Sequence, residues 1–492
     1  MKRLLCLALA MLMLCACFVS CGEDETVGDD TVQETVVEAP VEGLPAPSSV
    51  NIAGEFNILV SGNYAWNDFA TVEGERDTVQ EAIYRRNELL KQDYGVEVIT
   101  DDVIKFGSTN GSGTGYQKLY NEYVAGESTY DAASVGTYDV ASLAYTGLLW
   151  DLNSVPYIDL TKDYWDQQAN EDLAVLGKMY YTNGDIGVVN NKVTHAILFN
   201  KNMVDDYGMA DPYELVRNNN WTLETFSGLV KQVGEDKNLD GVYNENDMYG
   251  LLTWNDPMVA VLASSDAKIA GVNDAGEIEL TLYNERTVTL YDKFTDLVFD
   301  SQHVYNYQYD SVTGKATSSS VWNTNRDNIF NESRAVFYLN TVATIERHRD
   351  SDVEFGVLPY PKLDATQEEY GHSVSAYHSQ FICIPLMAKN VTKSGIVLEY
   401  LAAKGQEIVR PAYYDITLNG KSVRDEESSE MLDIIFASRV YDIGAYYKIG
   451  TYNTQLGAMF VSRDSLTVIY ETYRNQAETY INQVNGIFAR LG

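Results

Sequence analysis

The sequence predicts an α/β fold divided into two lobes. At 492 residues the chain is longer than one ordinary hydrophobic core, which makes two folded units the expected arrangement. The run FNILV at 56–60 and the run VEVIT at 96–100 have the composition of buried strands, and a helical pattern separates them. A strand, a helix and a second strand at this spacing predict a βαβ unit, and therefore a parallel sheet.

The helix between these two strands has clear start and stop signals. Asp77 precedes it as an N-cap, Gln80 follows three residues later as in a capping box, and Gly95 is the expected stop. A second helix is expected around 116–125. It leads to the strand YDAASVG, which ends near Tyr138.

The stretch from 177 to 250 is expected to carry the chain from the first lobe into the second. An extended crossing segment near Gly184–Gly187 leads to the strand HAILF and then to a capped helix around 212–226. A tight acidic loop follows, and MYGLLTW after it has the pattern of a strand.

The last part of the chain is expected to complete the second lobe and cross back. Leu290 to Val298 predict an amphipathic helix, and AVFYL and VEFGVLPYPK predict strands. The polar run at 313–325 is expected to be a mobile loop that carries Trp322. A second crossing is expected near 377–380, and a final helix from 464 to 491.

Composition supports folded cores and excludes some partners. Hydrophobic residues make up 45% of the chain and aromatic residues 12%, which argues against global disorder. The formal net charge of −36 would repel nucleic acid and anionic lipid headgroups, so neither is expected to bind. The 36 tyrosines suit a surface that binds polyhydroxylated ligands, because each offers a flat apolar face and a hydroxyl.

The N-terminus has the features of a signal peptide that ends at a lipid-modified cysteine. Two basic residues precede an apolar run at 4–19 that is too short to span a bilayer. The run ends in VSCG, which resembles the bacterial lipobox, so we predict a lipoprotein signal peptide at 1–20 and acylation of Cys21. Cys17 lies in a competing box, but cleavage there would leave two bulky apolar residues on the mature end.

Residues 21–50 are predicted to be an acidic, flexible tether. They contain acids, Thr, Val and Pro without a basic residue, and they show neither a helical nor an alternating period. Outside the leader the chain has a single cysteine, Cys383, so no internal disulfide is expected. Cys383 lies in the apolar run FICIP, which predicts a buried, inert thiol.

The order and spacing of these segments resemble the extracellular solute-binding proteins (family 1 type) of carbohydrate ABC transporters. The resemblance is carried by GKMYYTNGDIG, HAILFNKNMVDDYG and the block at 410–436, and it covers roughly residues 50–490. It implies a two-lobed periplasmic-binding-protein-like fold of type II with a multi-strand hinge. Lobe 1 would comprise 51–184, completed by about 381–440, and lobe 2 would comprise 188–378, completed by about 445–492.

The resemblance also implies a function. The chain would be the membrane-tethered binding component of an ABC importer, hold a sugar or oligosaccharide between its lobes and deliver it to the permease subunits. It would be a monomer, lipid-anchored to the outer face of the cytoplasmic membrane.

Two alternatives to this function stay open at this point. A glycoside-acting enzyme needs only two carboxylates, although the scattered histidines and the lack of HExxH or Gly-x-Ser-x-Gly motifs argue against an enzyme. The same fold with a peptide or another small polar solute as its ligand is the second alternative.

Ligands of open α/β sheets bind at strand ends and crossing segments, which selects the candidate binding residues. Aromatic rings can stack on pyranose rings, and a carboxylate can accept hydrogen bonds from two sugar hydroxyls. The predicted ligand-binding residues are Trp66, Tyr138, Asp185, Trp254, Trp322, Tyr377 and His378.

The acidic loop has the spacing of a calcium-binding loop. Oxygen donors fall at positions 1, 3, 5 and 12, a glycine at position 6 allows the sharp turn, and position 7 offers a carbonyl. The predicted ligands of a structural Ca²⁺ are Asp236, Asn238, Asp240, Val242 and Asp247. Asp247 stands where a bidentate glutamate is usual, and an acidic turn that binds nothing is the alternative.

Overall fold

The computed structural model describes residues 41–62, 66–70, 76–103, 111–310, 313–414, 418 and 426–491. The predicted signal peptide and Cys21, the predicted acylation site, lie outside these residues, as do most of the predicted tether and part of the block at 410–436. No helix in the described part of the chain combines the length and the hydropathy needed to cross a membrane.

Strands and helices alternate along most of this chain. Numbered in chain order, the strands are β1 (Gly54–Ser61), β2 (Val96–Asp102), β3 (Ala132–Gly136), β4 (His195–Asn200), β5 (Gly234–Glu235), β6 (Met248–Thr253), β7 (Ala270–Val272), β8 (Ile278–Leu280), β9 (Val304–Asn306), β10 (Ala335–Thr341), β11 (Phe355–Leu358), β12 (His372–Ser373), β13 (Gln380–Cys383) and β14 (Arg439–Val440).

The α-helices are Thr78–Tyr94, Thr114–Ala125, Thr137–Tyr145, Gln167–Leu173, Val189–Lys192, Lys201–Asp206, Pro212–Arg217, Leu223–Val230, Pro257–Ser264, Glu285–Val298, Ser319–Asn331, Ala343–His348, Val391–Lys404, Glu426–Ala437, Ile443–Tyr446, Tyr452–Gly457, Met459–Ser462 and Leu466–Phe488. A π-helical segment, Gly405–Val409, continues the helix that ends at Lys404.

The first sheet has the strand order β13-β3-β1-β2 and confirms the predicted βαβ unit. β1 runs parallel to both β2 and β3, whereas β13 returns from late in the chain and pairs antiparallel with β3. The connecting helix begins with the expected capping box between Asp77 and Gln80, and it ends at Gly95, whose φ of 67° is in the left-handed region that favours glycine.

The second sheet has the order β11-β4-β10-β6-β5, with β9 paired to β6. β6, β9 and β10 are parallel, so their carboxyl ends meet at one edge of the sheet. A cluster of aromatic rings covers one face: Trp221, Phe226 and Phe337 are fully buried and pack edge to face or tilted. The indole N–H of Trp221 donates to the carbonyl of Pro359 at 2.8 Å, which satisfies its polar atom inside the core.

The chain passes between the two sheets through two neighbouring segments, at 182–194 and 374–382, which we call the hinge segments. Thr182 pairs with Ile382 beside the first sheet, and Thr194 pairs with Val374 beside the second. β12 and β14 add a short parallel pair. The predicted multi-strand hinge is therefore present, with passages near both expected places, while the exact lobe boundaries remain a prediction.

One expected loop is a helix. The run predicted as a mobile loop at 313–325 becomes helical from Ser319, and the helix continues to Asn331. Ile329 and Phe330 are fully buried at its end and anchor it to the second lobe. The prediction was wrong because Ser-rich runs often form loops, whereas serine is also a favoured residue at helix starts.

Candidate ligand-binding cavity

A cavity of about 330 Å³ lies where strand ends of both sheets meet the hinge segments. Tyr138 reaches it from just after β3, and Asn255 and Asp256 reach it from just after β6. Tyr309 follows β9, and Tyr377 belongs to the hinge segment that precedes β13. Its volume and its position at carboxyl ends of parallel strands are typical of a small-molecule site.

Tyr138 forms one wall of the cavity and is held in place from both sides. Its hydroxyl accepts a hydrogen bond of 3.1 Å from Asn453 Nδ2, and Lys448 Nζ lies 5.5 Å from the centre of its ring. Burial raises the pKa of Tyr138, so the hydroxyl stays protonated and can donate as well as accept. The ring is therefore a fixed apolar face with a polar edge.

Asp256 supplies one of two carboxylates among the described residues that line the cavity, and Asp442 supplies the other. Asp256 stands at the N-terminus of the helix Pro257–Ser264, where an aspartate usually accepts a hydrogen bond from the first turn. Here the side chain makes no capping bond and lines the cavity instead. Burial raises its pKa to about 7, and no cation in the described part of the chain offsets this shift.

The raised pKa of Asp256 predicts a specific pH dependence of stability. Its ordinary pKa is 3.8, so between that value and about 7 the folded state keeps a proton that the unfolded state has lost. The resulting contribution to stability is complete below the lower value and is lost as the pH rises through the higher one. In urea melts across this interval, D256N should gain stability relative to the wild type as the pH rises. Parallel curves would contradict the raised pKa.

A layer of aromatic rings begins at the cavity wall, where His195 lines the cavity and Trp254 and Tyr307 follow behind it. Trp254 stacks on His195 with ring centres 6.3 Å apart and on Tyr307 with centres 6.4 Å apart. Burial lowers the pKa of His195 and of His378 to about 3, so both rings are neutral at physiological pH. This layer adds aromatic surface to the site without adding charge.

Four of the predicted ligand-binding residues lie in or directly behind the cavity. Tyr138 and Tyr377 line it. His378 contacts the Tyr377 ring at 4.8 Å and the Trp254 ring at 5.9 Å between centres, which places His378 and Trp254 in the layer behind. The structure therefore brings together predicted residues from three distant parts of the chain.

The other three predicted residues lie elsewhere. Trp66 is half-buried near the hinge, with Lys192 Nζ 5.8 Å from its ring centre. Asp185 faces a second cavity of about 410 Å³, where its carboxylate pairs with Arg410 at 3.0 Å and burial raises its pKa to about 6. Trp322, on the helix Ser319–Asn331, packs against the core of the second lobe.

Sequence reasoning missed several residues of the cavity wall. Asn255 and Asp256 directly follow the predicted strand MYGLLTW, and this position at a strand end was the signal that could have found them. Asn255 Nδ2 donates to the Tyr309 hydroxyl at 2.8 Å and so orients that ring. Asn453 comes from the C-terminal helices, and nothing in the local sequence indicates its role.

The acidic loop uses its carboxylates to hold its own backbone. Asp236 accepts from the amide of Gly241 at 2.8 Å, and both oxygens of Asp247 accept from amides, those of Lys237 and Asn244. Gly241 has a φ of 78°, as the predicted sharp turn requires. Within the described ranges, no three acidic, histidine or cysteine side chains converge closely enough to hold a metal ion. The turn fits a calcium loop, whereas the carboxylates as placed do not form a ligand cage.

Comparison with known proteins identifies the fold. No family model matches the chain, and no curated protein is similar enough to be found. Among solved structures, an ABC substrate-binding protein from Listeria monocytogenes in complex with cycloalternan is 16% identical, with 88% of this chain and 99% of that chain covered and a TM-score of 0.55.

Two further solved structures give the same result. A maltose-binding periplasmic protein of Listeria monocytogenes in complex with maltose is 13% identical, with coverage of 87% and 98% and a TM-score of 0.56. An ABC transporter associated binding protein from B. animalis subsp. lactis in complex with β-1,6-galactobiose is 12% identical, with coverage of 88% and 98% and a TM-score of 0.55. At these identities the likeness shows the fold, and the predicted two-lobed α/β fold is confirmed.

Proposed function

We propose that this chain is the substrate-binding component of an ABC importer and that it binds a sugar or short oligosaccharide between its lobes. The observation that carries the proposal is the cavity where Tyr138, Asp256 and Tyr377 converge from both lobes and the hinge. The three proteins compared above, which share its fold, were solved with oligosaccharides bound. The permease subunits of an importer are the proposed partners, and the chain acts as a monomer.

The chemistry of the cavity suits a sugar. A pyranose ring has an apolar face that can stack on tyrosine, and its hydroxyls can hydrogen-bond to carboxylate, amide and phenol groups. Because the wall comes from both lobes, a bound sugar would contact both and favour their closure about the hinge segments. The closed form is then the shape that the permease recognises.

A thermal-shift panel tests the ligand class. A ligand that binds only the folded state adds about 2.7 kcal/mol at a hundredfold excess over Kd, so it raises the Tm. We expect at least one mono- or oligosaccharide to raise the Tm and short peptides to leave it unchanged. A rise with peptides alone would contradict the proposal. A labelled form of the sugar that binds, recovered unchanged after incubation with the protein, would show binding without glycoside hydrolysis.

We also propose that a lipid on Cys21 tethers the protein to the outer face of the cytoplasmic membrane. The support is the short apolar run that ends in VSCG and the acidic tether that follows it. In fractionated cells, Cys21→Ala should move the protein from the membrane to the soluble fraction. A variant that stays in the membrane with lipid on Cys17 would overturn the choice of cysteine.

A calcium ion in the acidic loop is a further proposal, supported by the spacing of its oxygens and by the turn at Gly241. Binding would require Asp236 and Asp240 to turn from backbone amides toward the ion. We expect a chelator to lower the Tm by an amount that matches about 2.7 kcal/mol at a hundredfold excess of calcium over Kd. Asp240→Ala should abolish this sensitivity. An unchanged melt on chelation would contradict the site.

A further inference from the structure

Asp256 is a half-buried carboxylate that lines the cavity, and its side chain has no hydrogen-bond or ion-pair partner among the described residues. It makes no capping bond, and burial is the one cause that shifts its pKa. A desolvated charge without a counter-charge is costly, and proteins ordinarily pair such a group. The missing partner is therefore expected to arrive with the ligand.

The groups that face Asp256 are aromatic hydroxyls. Its charge contributes, after burial, to the raised pKa of four tyrosines near it: Tyr138, Tyr307, Tyr360 and Tyr377. A phenol hydroxyl can donate a hydrogen bond to a carboxylate, but it carries no charge, so these tyrosines do not balance the charge of Asp256. The net charge of −36 raises the local concentration of cations.

The other ionisable groups around the cavity do not balance the negative charge of Asp256. Asp442 is occupied, because its carboxylate accepts the backbone amides of Ile269 and Gly444 at 2.7 and 2.9 Å. Lys448 lies against the ring of Tyr138, and burial alone lowers its pKa. The neighbouring histidines, His195 and His378, are neutral at physiological pH.

We propose that the ligand carries a protonated amine, as an amino sugar does, and that this amine pairs with Asp256. The inference rests on the proposed function and narrows its ligand class. The hydroxyls of a neutral sugar would fill the lone pairs of the carboxylate but would leave its charge buried and unpaired. An ammonium group supplies both hydrogen bonds and the opposite charge.

The acceptor side of the cavity supports the same ligand chemistry. Asn453 uses its amide nitrogen on the Tyr138 hydroxyl, while its carbonyl oxygen is buried and has no hydrogen-bond partner among the described residues. Together with the Asp256 carboxylate, the wall thus presents two acceptors. A ligand rich in N–H and O–H donors satisfies both.

Calorimetry on matched pairs of sugars tests the inference with the mature protein. The pairs are glucosamine with glucose, galactosamine with galactose, and deacetylated chitobiose with cellobiose. We expect an amino sugar of at least one pair to bind about tenfold or more tightly than its neutral parent. Its affinity should rise from about pH 5 to about pH 7, while neutral sugars show no such rise. Burial raises the pKa of Asp256 to about 7 and that of Asp442, which lines the same cavity, to about 6, so both lose their protons in this interval. The part of the rise that is absent in D256N, up to about tenfold per pH unit, belongs to Asp256.

Two variants test whether the preference for the amino sugar comes from the Asp256 carboxylate. D256N should remove the preference for the amino sugar, whereas D274N, which removes the same charge from an exposed turn, should retain it. Neutral parents that bind as tightly as the amino sugars, or a preference that survives in D256N, would overturn the inference and leave the proposed function standing. If no sugar of either kind binds, both are overturned. The wild-type comparison decides between these outcomes even if D256N fails to fold.

Discussion

Replacing Arg86 with methionine is expected to lower the free energy of unfolding by about 2–6 kcal/mol, because two carbonyls lose their donor at about 1–3 kcal/mol each. Arg86 is fully buried on the helix Thr78–Tyr94. Its guanidinium donates to the carbonyls of Ile186 at 2.7 Å and Asp68 at 2.8 Å. Burial lowers its pKa to about 10, so it remains charged at neutral pH.

The loss would be large because several groups depend on this one side chain. The Asp68 carboxylate is buried, which raises its pKa, and the positive charge of Arg86 is one of the groups that offset the shift. Ile186 lies in the first crossing segment, so the guanidinium also joins a helix of the first lobe to the hinge. Methionine keeps most of the apolar volume and leaves both partners unpaired.

Urea denaturation of R86M is the measurement, with R85M as the matched control. Arg85 is the exposed neighbour on the same helix, and exposed substitutions usually change stability by less than about 0.5 kcal/mol. If R86M and R85M lose the same small amount, the buried guanidinium does not stabilise the hinge.

Tyr377→Ala is expected to weaken sugar binding by about 2–4 kcal/mol, or roughly 30- to 1000-fold in Kd. Tyr377 lines the cavity from the hinge segment, and its ring stands perpendicular to that of His378. Removal of the ring takes away a stacking face and opens the cavity to water. Tyr377→Phe keeps the ring and should lose only the hydrogen bond expected between the Tyr377 hydroxyl and the sugar, which is worth about 1 kcal/mol.

Calorimetry with the sugar found in the thermal-shift panel measures these losses. Tyr123→Ala removes a tyrosine that is 48% exposed on the helix Thr114–Ala125, and it should bind like the wild type. Normal affinity in Tyr377→Ala would show that the sugar binds elsewhere, and the proposed function would then need a different site.

Local signals allowed much of the fold to be predicted. The capping box at Asp77 and Gln80 is complete within four residues, so the start of the helix could be predicted from the sequence and is confirmed. The strand after the acidic loop was predicted from its apolar run and is observed as β6. Trp322 was placed in a loop because the burial that makes this segment helical depends on tertiary contacts of Phe330.

The site was less accessible to sequence reasoning because its residues meet only in three dimensions. Asp185 has the residue type and the position of a ligand-binding group, yet its partner Arg410 comes from 225 residues later in the chain. Asp256 has the pattern of an ordinary helix cap, since Asp-Pro commonly starts a helix. Its position after a predicted strand is the one sequence signal for a binding role, and the missing capping bond and the cavity beside it are visible only in the structure.

A crystal structure of the mature protein with its sugar tests the central claim most directly. The account predicts one sugar in the cavity of about 330 Å³, stacked on Tyr138 or Tyr377 and hydrogen-bonded to Asp256. It also predicts that the lobes are closed around the sugar. A sugar bound beside Asp185 and Arg410 in the second cavity, with the first one holding only water, would contradict it.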